Sequence, residues 1–112
     1  MSFLDTTRLK PMVHKTKHGQ IEIRENHQLV VDFDADKYVT VIDPKGDIVR
    51  FHRRPGAGET IDTAKLLQLY RTEKLPPKYV KKYTYAKKFV HLVRSKTPKV
   101  LAFFLFALRC VD

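Results

Sequence analysis

Leu75-Pro76-Pro77-Lys78-Tyr79-Val80-Lys81-Lys82-Tyr83-Thr84-Tyr85-Ala86-Lys87-Lys88-Phe89-Val90-His91-Leu92-Val93-Arg94-Ser95 is the stretch that decides the fold. Pro76 and Pro77 punctuate its start, and a proline is tolerated in a first helical turn because the N–H it lacks has no partner there. Beyond them Tyr79, Tyr83, Ala86, Val90 and Val93 recur every three or four residues. At about 100° per residue they share one face, with Val80 and Phe89 at its margins. Lys78, Lys81, Lys82, Lys88 and Lys96 fall on the flank or the opposite side. The spacing predicts one amphipathic helix over Pro77 to Ser95, ended by Pro98.

Upstream the period changes from helical to alternating. Ile21, Ile23, then Leu29, Val31 and Phe33 alternate with polar residues on either side of Glu25-Asn26-His27, which reads as a hairpin. Lys37 to Ile42 is β-branched and aromatic, and Asp47 to Arg53 alternates again. Between them Asp43-Pro44-Lys45-Gly46 has proline and glycine where a tight turn uses them. Pro55-Gly56-Ala57-Gly58 reads as a plain loop, because no Gly-Lys-Ser/Thr follows to make it a phosphate cradle. Lys65 to Thr72 fits a strand, and Ala64 to Leu69 equally fits a short helix. Met1 to Lys17 is polar and basic with scattered apolar residues. Val100 to Val111 is apolar without alternation and reads as a buried strand, with a helix as the alternative. Several strands followed by one long helix make an α+β domain, the helix lying across one face of a twisted antiparallel sheet.

A chain of 112 residues fits one domain with a modest core and is too short for a kinase domain. Cys110 is the sole cysteine, so no internal disulfide forms and a reducing compartment is the easier reading. Met1 to Lys10 has no apolar core of a secretory signal, and Val100 to Leu108 is too short to span a membrane. Five histidines are scattered without a third ligand at a metal-site spacing, so no metal or other cofactor is expected. Asp32-Phe33-Asp34-Ala35-Asp36 has the alternation of a calcium loop but lacks its glycine and its closing glutamate. Nothing assembles an active site.

Charge is the outstanding signal. The chain carries 22 Lys plus Arg against 12 Asp plus Glu, net +10, a balance that attracts polyanions. From Lys74 to Lys99 there are nine Lys or Arg and no acidic residue. Charges of one sign cannot pair along the helix and repel each other, which favours a role in binding. Tyr79 and Tyr83 lie on the apolar face, whereas Tyr85 lies off it and is open to stack on a partner.

The same residues carry a resemblance. Thr6-Thr7-Arg8-Leu9-Lys10-Pro11, His14-Lys15-Thr16-Lys17, then Leu75 to Ala86 and Phe89 to Lys99, resemble the first polo box of the central, cryptic polo-box pair of Sak-type polo-like kinases. The resemblance covers roughly Leu4 to Lys99. It implies a polo-box fold, about six antiparallel strands crossed by a C-terminal helix, with 1–98 as a single box. Residues 99–112 are then a candidate first strand of a following box. They depart from the family's more polar strand ending in Ala-Lys-Cys, and Arg109 matches that lysine only across a one-residue gap.

The resemblance further implies a non-catalytic module of a serine/threonine kinase of centriole duplication, acting in the cytoplasm at the centrosome. Boxes of this pair homodimerise and dock onto acidic segments of centriolar scaffold proteins such as the Asterless family. Phosphopeptide-binding polo boxes use a tryptophan, which this chain lacks. Lys82 matches a family lysine implicated in scaffold binding, and helix geometry adds Lys78, Lys81 and Lys88. A nucleic-acid-binding module using the same lysines with Tyr85 is the rival reading, but no homeodomain, zinc-finger or RNP motif supports it. Membrane binding is not expected, because the apolar face of the helix is the face the sheet needs.

Overall fold

The computed structural model describes residues 4–95, and the tail from Val100 to Val111, with Pro98, lies outside the described residues. Six strands follow one another as β1 (Met12–Thr16), β2 (Gly19–Ile23), β3 (Leu29–Phe33), β4 (Tyr38–Ile42), β5 (Ile48–Arg53) and β6 (Leu66–Arg71). Each pairs antiparallel with the next, giving a single meander in the order β1-β2-β3-β4-β5-β6. A 3₁₀ turn at Thr72–Lys74 leads into helix α1, Pro77–Ser95. Both expected hairpins form, β2–β3 around the Arg24–Gln28 turn and β4–β5 around Asp43–Gly46. The second turn closes with Gly46 N–H on the Asp43 carbonyl, and Gly46 takes a φ of 74° that costs a glycine little.

Three elements differ from the sequence reading or complete it. Met12–Thr16 is a strand, paired with β2 in register from Met12 opposite Ile23 to Thr16 opposite Gly19. Its inward side is Met12, His14 and Thr16 while Val13 faces out, so no apolar alternation marks it. Leu66–Arg71 is a strand and not a helix; an irregularity between Phe51 and His52 displaces its pairing with β5. Phe89, placed at the margin of the helix's apolar face, is fully buried in the core. Val80, on the other margin, is exposed.

The core lies between α1 and one face of the sheet. Ile21, Ile23, Leu29, Val31, Phe33, Ile42, Val49 and Phe51 meet Tyr83, Ala86, Phe89 and Val90 of the helix. Burying these side chains removes apolar area from water at about 25 cal/mol per Å², the main force holding helix to sheet. Tyr79 stacks on Phe51 at 4.1 Å between ring centroids, with Tyr38 edge-on to both. The buried Tyr83 hydroxyl donates to the Gly46 carbonyl at 2.9 Å, which ties the middle of the helix to the β4–β5 turn.

Residues before β1 complete this layer. Leu4 is buried in the core, Thr6 N–H donates to the Pro44 carbonyl, and the Thr6 hydroxyl donates to the His27 carbonyl. Arg94, in the last turn of α1, donates to the Asp5 carbonyl. The segment thus clips together the two hairpin turns and the far end of the helix. On the opposite face, among the described residues, the strands bury a small cluster, Val30, Val39 and Val41, partly covered by Ile61 from the β5–β6 loop.

Candidate docking surface

Helix α1 fixes where its lysines point. Its buried side is Tyr83, Ala86, Phe89 and Val90, so residues about half a turn away must face solvent. Lys78, Lys81 and Lys88 do so and are exposed. With Tyr85 and Leu92 between and beyond them, they occupy positions 78, 81, 85, 88 and 92, the three- and four-residue spacing that keeps a straight row on a helix. Lys78 lies 5.1 Å from the centroid of the Tyr79 ring and Lys81 lies 5.9 Å from that of Tyr85, contacts that a cation and an aromatic face favour. No aspartate or glutamate stands on the helix to neutralise the row.

Lys82 is placed differently. It sits one residue before Tyr83, at the edge of the buried face, and its side chain is only 16 % exposed. Its ammonium group pairs with Asp36 from the β3–β4 turn, itself 17 % exposed, and lies 4.7 Å from the centroid of the Phe33 ring. Lys82 already spends one of its three N–H donors on Asp36. The four lysines named from the sequence therefore divide into three that line the outer row and one that joins the helix to the sheet. Tyr85, read as open for stacking, is partly buried and packs against the core cluster.

The remaining chemistry-bearing residues are dispersed. His14 lies in β1, His18 in the β1–β2 turn, His27 in the β2–β3 turn at a φ of 70°, His52 in β5 and His91 on the outer side of α1. Among the described residues no group of three His, Cys, Asp or Glu comes together to hold a metal. No described helix is long and apolar enough to cross a membrane. In the acidic run, Asp32 pairs with Arg54 at 2.7 Å and Asp36 with Lys82.

The face away from α1 holds a feature that sequence reasoning missed. A cavity of about 180 Å³ is lined by Arg24, Gln28, Val41, Arg50, His52, Ile61 and Asp62. Arg24 donates to both carboxylate oxygens of Asp62, at 2.9 and 2.8 Å, and to the Gln28 side chain at 3.0 Å. Those hydrogen bonds, aided by the charge of Arg24, hold the Asp62 carboxyl below its ordinary value, and the same bonds raise Arg24. His52 Nδ1 lies 3.1 Å from the Ala64 carbonyl. The lining comes from the β2–β3 turn, β4, β5 and the β5–β6 loop, so no local spacing announces it.

The family model described as Polo-like Kinase 4 Polo Box 1 matches residues 1–94. Serine/threonine-protein kinase PLK4 of Drosophila grimshawi is 37% identical over 115 aligned positions, covering 89% of this chain and 15% of that protein. The protein of the same name from Xenopus tropicalis is 33% identical over 120 positions, covering 96% of this chain and 13% of that protein. The chain thus spans about 15% of the length of the curated relatives it matches, and the part it matches is a polo box, not a kinase domain. With a match that runs through all six strands and nearly to the end of α1, the chain belongs to the Polo-like Kinase 4 Polo Box 1 family and is a non-catalytic polo-box module.

Proposed function

We propose that this module directs a serine/threonine kinase of centriole duplication to the centriole, in the cytoplasm, by docking onto acidic segments of scaffold proteins of the Asterless kind. The observation that carries the reading is the outer row of α1, where Lys78, Lys81 and Lys88 are exposed on a helix that carries no acidic residue. An acidic, flexible segment is drawn to such a row over a Debye length, and its own apolar residues then fix the register. Lys82 contributes by exchange, giving up Asp36 for a carboxylate of the partner.

The module is further read as one that self-associates. Among the described residues strand β6 is an edge of the sheet with Leu66, Leu67 and Leu69 exposed, and an apolar edge is a ready seat for a second chain. Sedimentation of the wild type beside Leu67→Lys checks this part, with a loss of dimer expected in the variant.

The docking test is calorimetric titration with an acidic Asterless-type peptide and, separately, an RNA oligonucleotide of equal charge. The peptide is expected to bind more tightly than RNA, to lose affinity from low to physiological salt, and to lose most of it in Lys78→Glu/Lys81→Glu/Lys88→Glu. Binding insensitive to salt, or equal binding of RNA, overturns the reading. The partial burial of Tyr85 leaves the nucleic-acid alternative without a fully open stacking platform.

A further inference from the structure

The cavity on the open face of the sheet has the composition of a seat for one carboxylate side chain. Its floor is apolar, Val41 from β4 and Ile61 from the β5–β6 loop. Its walls hold two donors, the guanidinium groups of Arg24 and Arg50, beside Gln28, whose Oε1 accepts from Arg24, and His52, whose Nδ1 is turned to the Ala64 carbonyl. Floor and walls together match an acid on an aliphatic stem, with methylenes against Val41 and Ile61 and the charge among the donors.

The seat on Arg24 already holds a carboxylate, that of Asp62, and the two partners are unequal. Arg24 is partly buried, its side chain 21 % exposed, in the β2–β3 turn, where its N–H donates to the Gln28 carbonyl. Asp62 is 64 % exposed, on the irregular β5–β6 loop. Releasing Asp62 returns it to water at small cost, since exposed ion pairs contribute little. Leaving Arg24 without an anion costs more, because its side chain is the less exposed of the two. A partly buried arginine held by a more exposed, solvent-facing acid is a pair suited to exchange one carboxylate for another.

Arg50 supplies the second donor. Its side chain is 28 % exposed and makes one long contact, 3.4 Å, to Asp43. A guanidinium carries five N–H donors in a planar fork, so most of its capacity at this cavity is unspent among the described residues.

We propose that this cavity is a second docking site, which receives an aspartate or glutamate side chain of an acidic partner segment in place of Asp62. The proposal rests on the reading of the module as a receptor for acidic segments, and adds a site on the sheet face away from the lysine row of α1. Asp62 acts as an internal competitor that keeps the seat filled until the partner arrives, and so sets a threshold on affinity.

The experiment uses the whole chain and the acidic peptide. Asp62→Asn removes the competing charge and is expected to tighten binding about threefold, the scale of one exposed ion pair. Arg24→Gln is expected to weaken it about tenfold, the scale of one bidentate charge-assisted contact. Melting temperatures are recorded for both, so that loss of folding is not read as loss of the seat.

If both variants bind as the wild type does while the α1 triple variant loses the peptide, the cavity is overturned and acidic docking stands. If no acidic peptide binds at all, that reading fails and the cavity is judged alone, by NMR titration of the wild type with glutarate. Shifts of the Val41 and Ile61 methyls that Arg24→Gln abolishes keep the seat, whereas no shift overturns it. A stronger response to inorganic phosphate than to glutarate overturns its assignment to a carboxylate.

Discussion

The two faces of the sheet are made by the same strands and do opposite work. Toward α1, alternate residues of β2 to β5 are Ile21, Ile23, Leu29, Val31, Phe33, Ile42, Val49 and Phe51, and they close an apolar layer under Phe89 and Val90. Away from α1, the residues between them include Asp32, Arg50 and His52 around Val30, Val39 and Val41. A period of two lets one strand serve both layers. The difference teaches that stability is concentrated on the helix side, and that the open side is free to carry charge because little of the fold depends on it.

The strongest way to break that comparison is Phe89→Ala. Phe89 is fully buried at the centre of the helix–sheet layer, so the change removes a ring and leaves a cavity, at a cost of about 3–5 kcal/mol. Val41→Ala on the open face removes two methyl groups, about 1.5 kcal/mol, because Ile61 on its loop can settle into the space. Urea unfolding of the two variants checks the ranking. Equal losses would mean that the open face is as much a core as the covered one.

The sequence made the covered face legible and left the open face dark, for physical reasons. Helix α1 and the two central hairpins declare themselves because one side of each is apolar and the period is unambiguous. Strand β1 does not, since its inward residues include His14 and Thr16, and β6 does not, since an edge strand exposes Leu66, Leu67 and Leu69 whatever its period. Leu4 and Thr6 are fully buried by a crossing segment that has no period at all.

Lys82 shows a different limit. Its burial depends on Asp36, 46 positions earlier in the chain, and a lysine's aliphatic stem lets it border a core that its sequence neighbours define. The cavity was harder still, because each of its residues is an ordinary strand or loop residue until the meander brings the β2–β3 turn, β4 and β5 together.

A smaller effect tests how dry the covered face is. Thr40 is buried on β4 between Tyr38 and Ile42, and its hydroxyl finds no partner among the described residues. Burying a hydroxyl without a hydrogen bond is unfavourable, so Thr40→Val, which keeps the shape, should stabilise the fold by about 1 kcal/mol. A rise in melting temperature checks this, and a fall would mean that the hydroxyl has a partner in solution and that water enters the layer.

The smallest effect concerns a single proton on the open face. Asp62 has a folded pKa below the ordinary 3.8, because Arg24 donates to both its oxygens. A lowered carboxyl binds its proton less readily when folded than when unfolded, so the pair favours the fold above pH 3.8, and that contribution fades as pH falls through the folded value. Asp62 is so exposed that the change in stability should be hard to see, which makes the titration itself the better measurement. Followed by NMR through its side-chain carboxyl carbon, Asp62 should titrate below 3.8 in the wild type and return toward it in Arg24→Gln. Adding the acidic peptide should move it the same way, since a partner carboxylate on Arg24 releases Asp62 to water. A titration that ignores the peptide would confine docking to the lysine row of α1 and leave the open face with no part in it.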